Sequence, residues 1–336
     1  MNCRCDSFVV ETNVHYPTDI NLLLDSMTVI IREISKICEK CNDKSWRQNK
    51  HIRRKIKRME RNAQELKRYV PHSEEKKIER ENLIKTAHQI YIDECNKIIK
   101  KVKYDINELQ VDGISGIVGI LKIEHYMEHA DKLMDQIKRR VIEGKVIPHD
   151  EKIFSVFEEH TEWICKGKSG KPQELGLKVC IVEDQHGFIL NHRVMIKETD
   201  DKVAVQLLSE TKEKFQNIKS VSFDKGFHNK TNKEELKKII EKIILPRKGK
   251  QRTQDIEEAN EKEYKKLKRQ HSAVESGISA LENHGLDRCL DHGLHGFKRY
   301  VGLAVLSRNI QIMGKILIEK LVKMVKRKRE AEKKAA

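Results

Sequence analysis

The chain has 336 residues, of which 36% are charged and only 5% aromatic, enough to bury a sizeable core while leaving much of the rest as solvated helix surface. Its 68 Lys and Arg against 52 Asp and Glu give a formal charge of +16, which favours a polyanionic partner such as nucleic acid, with a merely solvated basic surface as the alternative. The eight cysteines are scattered, unlike those of a small secreted scaffold, and no uninterrupted apolar run approaches the ~18 residues that cross a bilayer, so a cytoplasmic protein with reduced thiols and no membrane partner is expected.

Residues 3–12, CRCDSFVVET, are rich in β-formers and predict a strand. Pro17 and the capping residue Thr18 then announce a helix, whose apolar positions Leu22, Leu23, Met27, Ile30, Ile31, Ile34 and Cys38 recur at three-to-four spacing. Cys38 and Cys41 have zinc-like spacing but no second Cys or His pair at finger distance, and Cys38 continues the apolar stripe. From about 45 to 143 the text is helical, broken near Pro71 and at Gly113 to Gly116. Ten Lys and Arg face two Glu between Ser45 and Arg68; a phosphate-tracking helix and a solvated helical hairpin fit this equally.

After Pro148 the texture becomes alternating and β-branched. GLKVCIVE and GFILNHRVMI, joined through Asp184, Gln185, His186 and Gly187, predict a β-hairpin. A helix over 201–215, a strand SVSFD ending at Asp224, a helix over 231–241, a strand KIILP and a long helix over 257–284 follow. Setting the helical stretch aside, the order is β, β, β, α, β, α, β, α.

Three carboxylates stand out. Asp6 shares an alternating face with Phe8 and Val10, where an unpartnered carboxylate is costly; a metal ion or an Arg or Lys would satisfy it equally. Asp224 ends a strand before Lys225 and Gly226, in a place where sites collect and where turn residues also sit. Glu275 borders a helix stripe of Val274, Ile278 and Leu281, narrowed by Ala273, Ser276, Gly277 and Ala280; such small residues let a helix approach a sheet closely. Three carboxylates with open positions suit Mg²⁺ or Mn²⁺, and a pair of ions about 3.5–4 Å apart would serve an in-line displacement at phosphorus.

The wording around these residues resembles the DDE transposases of bacterial and archaeal insertion sequences. CDSFVVETNVHYPTD resembles the family's opening segment, SFDKGFHNKTN its Asp-[Lys/Arg]-Gly-aromatic box, and KRQHSAVESGISALENHGLDRC its Glu box; LGLKVCIVEDQHGFILNHRVM and HGFKRYVGLAVLSRNIQ extend the similarity. The resemblance implies an α/β fold with a ribonuclease-H-like mixed sheet flanked by helices, the first strand beside and parallel to the fourth, and a large all-helical insertion after the first strand. It divides the chain into the first strand and helix of the core (1–30), the helical insertion (31–145), the rest of the core (146–315) and a basic tail (316–336). It assigns Asp6, Asp224 and Glu275 to a pair of Mg²⁺ or Mn²⁺ ions that serve phosphodiester hydrolysis and strand transfer in transposition.

Lys225, Arg269, His271 and Arg288 stand near as phosphate ligands, with Arg53, Arg54, Lys55, Arg247 and Lys248 as further DNA contacts. Two departures matter. His271 stands where many relatives have Arg four residues before the Glu, and only five residues precede Asp6, where relatives usually have an end-binding region. The expectation is therefore a transposase acting on DNA at the nucleoid, in a form that includes a truncated copy and with a homodimer open. A ribonuclease-H-like host nuclease and a degenerate, non-catalytic DNA-binding or self-association protein are the alternatives.

Overall fold

The structure, a computed structural model, describes residues 1–68, 70–109, 113–165, 173–247 and 262–335. It divides into two compact units, one formed by Met1–Asn13 with His160–Ala336 and the other by Val14–Glu159.

The first unit is a mixed α/β domain whose described strands form one seven-stranded sheet. Strand β1 (Asn2–Thr12) is central, because its alternation is apolar on both faces. It runs antiparallel to β3 (Gln173–Asp184), from Cys3 opposite Asp184 to Glu11 opposite Gly176. On its other side it runs parallel to β5 (Ser220–Phe223). Gly176 is required there: a Cβ would collide with the Val10 carbonyl. Beyond β3 lie β2 (Glu162–Cys165) and β4 (Ile189–Val194), both antiparallel to it. Beyond β5 lies β6 (Lys242–Ile244), parallel to it. The two-residue β7 (Arg288–Cys289) runs parallel to the last residues of β1. The hairpin of β3 and β4 turns where the sequence predicts, at Gly187 with φ 91°, and the Asp184 carboxylate accepts from the backbone N–H groups of His186 and Phe188.

Each face of the sheet has its own helices. Cys3, Cys5, Cys180, Val182, Val221 and Phe223 pack on Val203, Leu207 and Leu208 of α5 (Asp200–Lys214) and Leu236 of α6 (Lys230–Ile239). On the opposite face Phe8, Val10, Val179 and Ile181 meet Val274, Ile278 and Leu281 of α8 (Ala273–Leu281), and Phe297 and Val301 of α9 (Gly293–Ala335).

The second unit is a helical bundle of α1 (Asp19–Lys40), α2 (Asn49–Arg68), α3 (Glu74–Glu108) and α4 (Ile114–Ile137). Thr18 caps α1 by accepting from the Asn21 N–H at 3.3 Å, and the expected stripe from Leu22 to Cys38 lies in the bundle core.

Three features differ from the sequence reading. The first helix, expected with the core over residues 1–30, belongs to the helical unit, because its widest apolar face finds its partners on α2, α3 and α4. The long helix over 257–284 begins outside the described residues, and α7 (Lys262–His271) and α8 are separated at Ser272 (φ −57°, ψ −18°). The separate tail expected over 316–336 is instead, as far as residue 335, the continuation of α9, whose Leu, Met, Lys and Arg residues propagate a helix readily.

By length and composition α9 holds a segment, with mean hydropathy 1.4, that would also suit a membrane. That segment contains Asn309, whose side chain pairs with both the N–H and the carbonyl of Ile189 at 2.9 Å. This docks the helix on β4.

Candidate functional site

The site is built on the ends of two parallel strands. Four buried residues, Ser220 to Phe223, make β5, after which Phe227 turns back into the same core and meets the Phe223 ring at 5.5 Å. Two aromatic anchors four residues apart force the chain between them outward. Asp224 is thereby exposed, still extended (φ −73°, ψ 164°), at the head of the short 3₁₀ turn Lys225–Phe227. Asn232 fastens this turn to the start of α5, donating to the carbonyls of Asp201 at 2.5 Å and Phe227 at 3.3 Å.

Because β1 and β5 are parallel, with Arg4 opposite Ser222 and Cys5 opposite Phe223, the next step along both strands brings Asp6 beside Asp224. Asp6 shares its sheet face with Phe8 and Val10, as the alternation requires, and this is the face covered by α8. Glu275 lies in the first turn of α8 and is exposed, where the helix N-terminus favours a carboxylate.

The electrostatics of Asp6 report the convergence. Its carboxyl is pushed up to about 6, first by burial, with a counteracting hydrogen bond from the Ser7 N–H, and then by repulsion from Asp224, Asp200 and Glu275. A half-buried carboxylate facing like charges lacks a counter-charge. A divalent cation held by oxygen ligands fits that deficit.

His271, the departure from the family's Arg, is also drawn in. Its Nδ1 lies 3.1 Å from the Ser222 hydroxyl. Burial lowers its pKa, against the attraction of Asp224 and Glu275 and with the repulsion of Arg4. It is therefore a neutral group beside the carboxylates and not a fixed positive charge.

The sequence reading missed Asp200 and the pair Arg4 and Glu183. Asp200 accepts from the Ser7 hydroxyl at 2.7 Å and pairs with Lys178 at 3.1 Å; as an acid at a helix start it carries no signal beyond a capping one. Glu183, 2% exposed, is bound by Arg4 at 2.8 Å and is pushed up to about 7 by burial, partly offset by Arg4 and Arg308. Its other carboxylate oxygen is buried without a partner and faces Gly277, where any Cβ would collide with it. Only the antiparallel register, Arg4 opposite Glu183, reveals this pair.

The expected phosphate ligands are scattered. Lys225 and Arg269 are exposed. Arg288 is bound to Glu11 at 3.0 Å. In the helical unit Arg53, Arg54, Lys50 and Lys57 line a cleft of about 480 Å³ with Asp25. Lys55 turns away from that role by pairing with Glu94 at 2.6 Å. Arg247 follows β6, and Lys248 lies outside the described residues.

Fold and site together define a mixed α/β domain in which a central strand and its parallel neighbour carry carboxylates toward a helix-borne third. A model of the transposase DDE domain family matches residues 135–310, just over half of the chain, and the chain belongs to that family. Asp224 and Glu275 fall within the matched span, and Asp6 precedes it. No curated protein matches the chain, and no solved structure does. Membership implies an enzyme of the nuclease and transposase kind that acts on DNA, and enzymes with this domain generally use divalent metal ions.

Proposed function

We propose that the chain is a metal-dependent DNA transposase whose catalytic carboxylates are Asp6, Asp224 and Glu275, in a ribonuclease-H-like core. The observation that carries this is the parallel register of β1 and β5, Arg4 opposite Ser222 and Cys5 opposite Phe223, which brings Asp6 beside Asp224; burial and the nearby Asp224, Asp200 and Glu275 raise the Asp6 carboxyl accordingly. The fold reading is supported by the sheet order, with β1 parallel to β5 on one side and antiparallel to β3 on the other.

Asp6, Asp224 and Glu275 would hold two Mg²⁺ or Mn²⁺ ions. Bound there, such ions supply the Lewis acidity that lowers the pKa of an attacking water or 3′-hydroxyl and neutralises the leaving oxygen. Lys225 and Arg269, both exposed, steady the phosphate. Neutral His271 accepts or donates a hydrogen bond without adding a positive charge that would repel the ions. The two reactions are hydrolysis at the element's end and attack of the freed 3′-hydroxyl on target DNA, with the enzyme working in the cytoplasm at the nucleoid.

Mn²⁺-dependent nicking of a supercoiled plasmid by the wild type, and its loss in Asp224→Asn, is the expected result. Undiminished nicking by the variant rejects the assignment. Nicking that never proceeds to strand transfer points to a nuclease.

A further inference from the structure

We propose a second, nitrogen-rich metal site in the helical unit, formed by His125, His129 and Glu159 and suited to Zn²⁺ or a neighbouring transition-metal ion. His125 and His129 stand four residues apart on α4, so their rings project from one face of the helix. The two Nε2 atoms converge on a single oxygen: Glu159 Oε1 lies 2.7 Å from that of His125 and 3.3 Å from that of His129. One ligand atom from each of the three residues lies within 4.8 Å of the others. Zinc bonds of about 2.0–2.2 Å need only a modest inward movement from there. His125 and Glu159, with side chains 47% and 52% exposed, have the freedom to make it.

The buried member fixes the site. His129 is 9% exposed, and its Nδ1 is buried without a partner, so the polar bonding that its ring does make is directed at this cluster. The approach of Glu159 is pre-set as well. Ser155 accepts from the N–H groups of Phe157 at 3.2 Å and Glu158 at 2.9 Å, forming a turn, and Phe157 meets the Tyr126 ring at 6.3 Å. A plain ion pair between half-exposed groups contributes little. Imidazole ligands select Zn²⁺ and its transition-metal neighbours over Mg²⁺ or Ca²⁺. Half-exposure leaves room for a water as fourth ligand. The bound ion would pin the segment that leads out of the bundle to α4.

The site is tested on untagged full-length protein carrying Asp6→Asn and Asp224→Asn, which removes two of the three carboxylates of the other proposed centre. Zn²⁺ titration by calorimetry and Co²⁺ titration by visible absorption are expected to show one ion per chain. Adding His125→Ala or Glu159→Gln, both at half-exposed positions that leave the bundle folded by circular dichroism, is expected to weaken binding by more than the roughly 10–100-fold that losing a supporting group costs. Zn²⁺ binding that is absent in the starting protein, or unchanged by both substitutions, overturns the proposal. Because the readout is binding, its failure leaves the nicking assay, and with it the reading of Asp6, Asp224 and Glu275, untouched.

Discussion

Asp6 is the residue in which the proposed chemistry and the stability of the fold meet. A carboxyl whose folded pKa is raised from 3.8 to about 6 contributes stability that is fully present below its unfolded pKa and is lost as pH rises through about 6. Asp6→Asn is therefore expected to stabilise the metal-free protein at pH 7, on the order of 1–2 kcal/mol after allowance for solvent screening. The same substitution should abolish nicking and the stabilisation that Mn²⁺ gives the wild type; thermal melts with and without Mn²⁺ test both. Mn²⁺ affinity of the wild type should rise with pH up to about 6 and flatten above it, which a calorimetric pH series will show. Gly277 is the second diagnostic position. Its missing side chain makes room for the buried Glu183 carboxylate held by Arg4, so Gly277→Ala should destabilise by about 1–3 kcal/mol, the usual cost of overpacking. A chemical denaturation curve within error of the wild type would show that α8 retreats without cost.

Among the elements, α2 and α9 present surfaces that packing leaves unused. In α2 the buried residues are Ile56, Glu60 and Ala63, and the remaining length is mostly cationic. Arg54 and Lys57 are exposed beside the cleft, unlike Lys55, which Glu94 has already taken. Arg54→Ala with Lys57→Ala should reduce the slope of log K against log salt for DNA by about 2 if both meet phosphates; an unchanged slope would return α2 to a solvated face. In α9 the exposed residues Leu303, Leu306, Ile310, Met313 and Leu317 recur at spacings of three and four, on the side away from Phe297 and Val301. A homodimer, which the sequence leaves open, would find in this stripe a heptad-like apolar repeat through which to pair with its copy. Ile310→Glu should convert dimer to monomer in light scattering, and a wild type that is monomeric at all concentrations contradicts the pairing.

At the scale of the whole molecule, the chain builds its sheet from two distant pieces. Met1–Asn13 supplies the central strand, and the rest of that unit begins at His160. Long-range pairing of this kind is slow to form because loop closure precedes any gain from contacts. The helical unit, Val14–Glu159, is continuous and has its own core around Trp46, Ile56, Tyr91 and Ile123. Residues 14–159 expressed alone are expected to fold, giving a helical circular dichroism spectrum and a cooperative melt; a non-cooperative melt would show that the bundle depends on the sheet.

Elements whose signals are local were legible in the amino-acid sequence. Periodicity marked α1 and its Thr18 cap, alternation marked β1, the turn residues marked the hairpin of β3 and β4, and box wording marked Asp224 and Glu275. The strands β2 and β7, which pair with β3 and with the end of β1, went unseen. Tertiary structure alone decided that α1 joins the bundle and that Glu183 and Asp200 stand near Asp6, whereas the parallel strands that make Asp6 and Asp224 neighbours were already implied by the resemblance. Tertiary structure likewise brought Glu159 to the helix face of His125 and His129. The reason is the same each time: a carboxylate's environment is set by what the fold carries beside it, and that distance is written nowhere in its own stretch of chain.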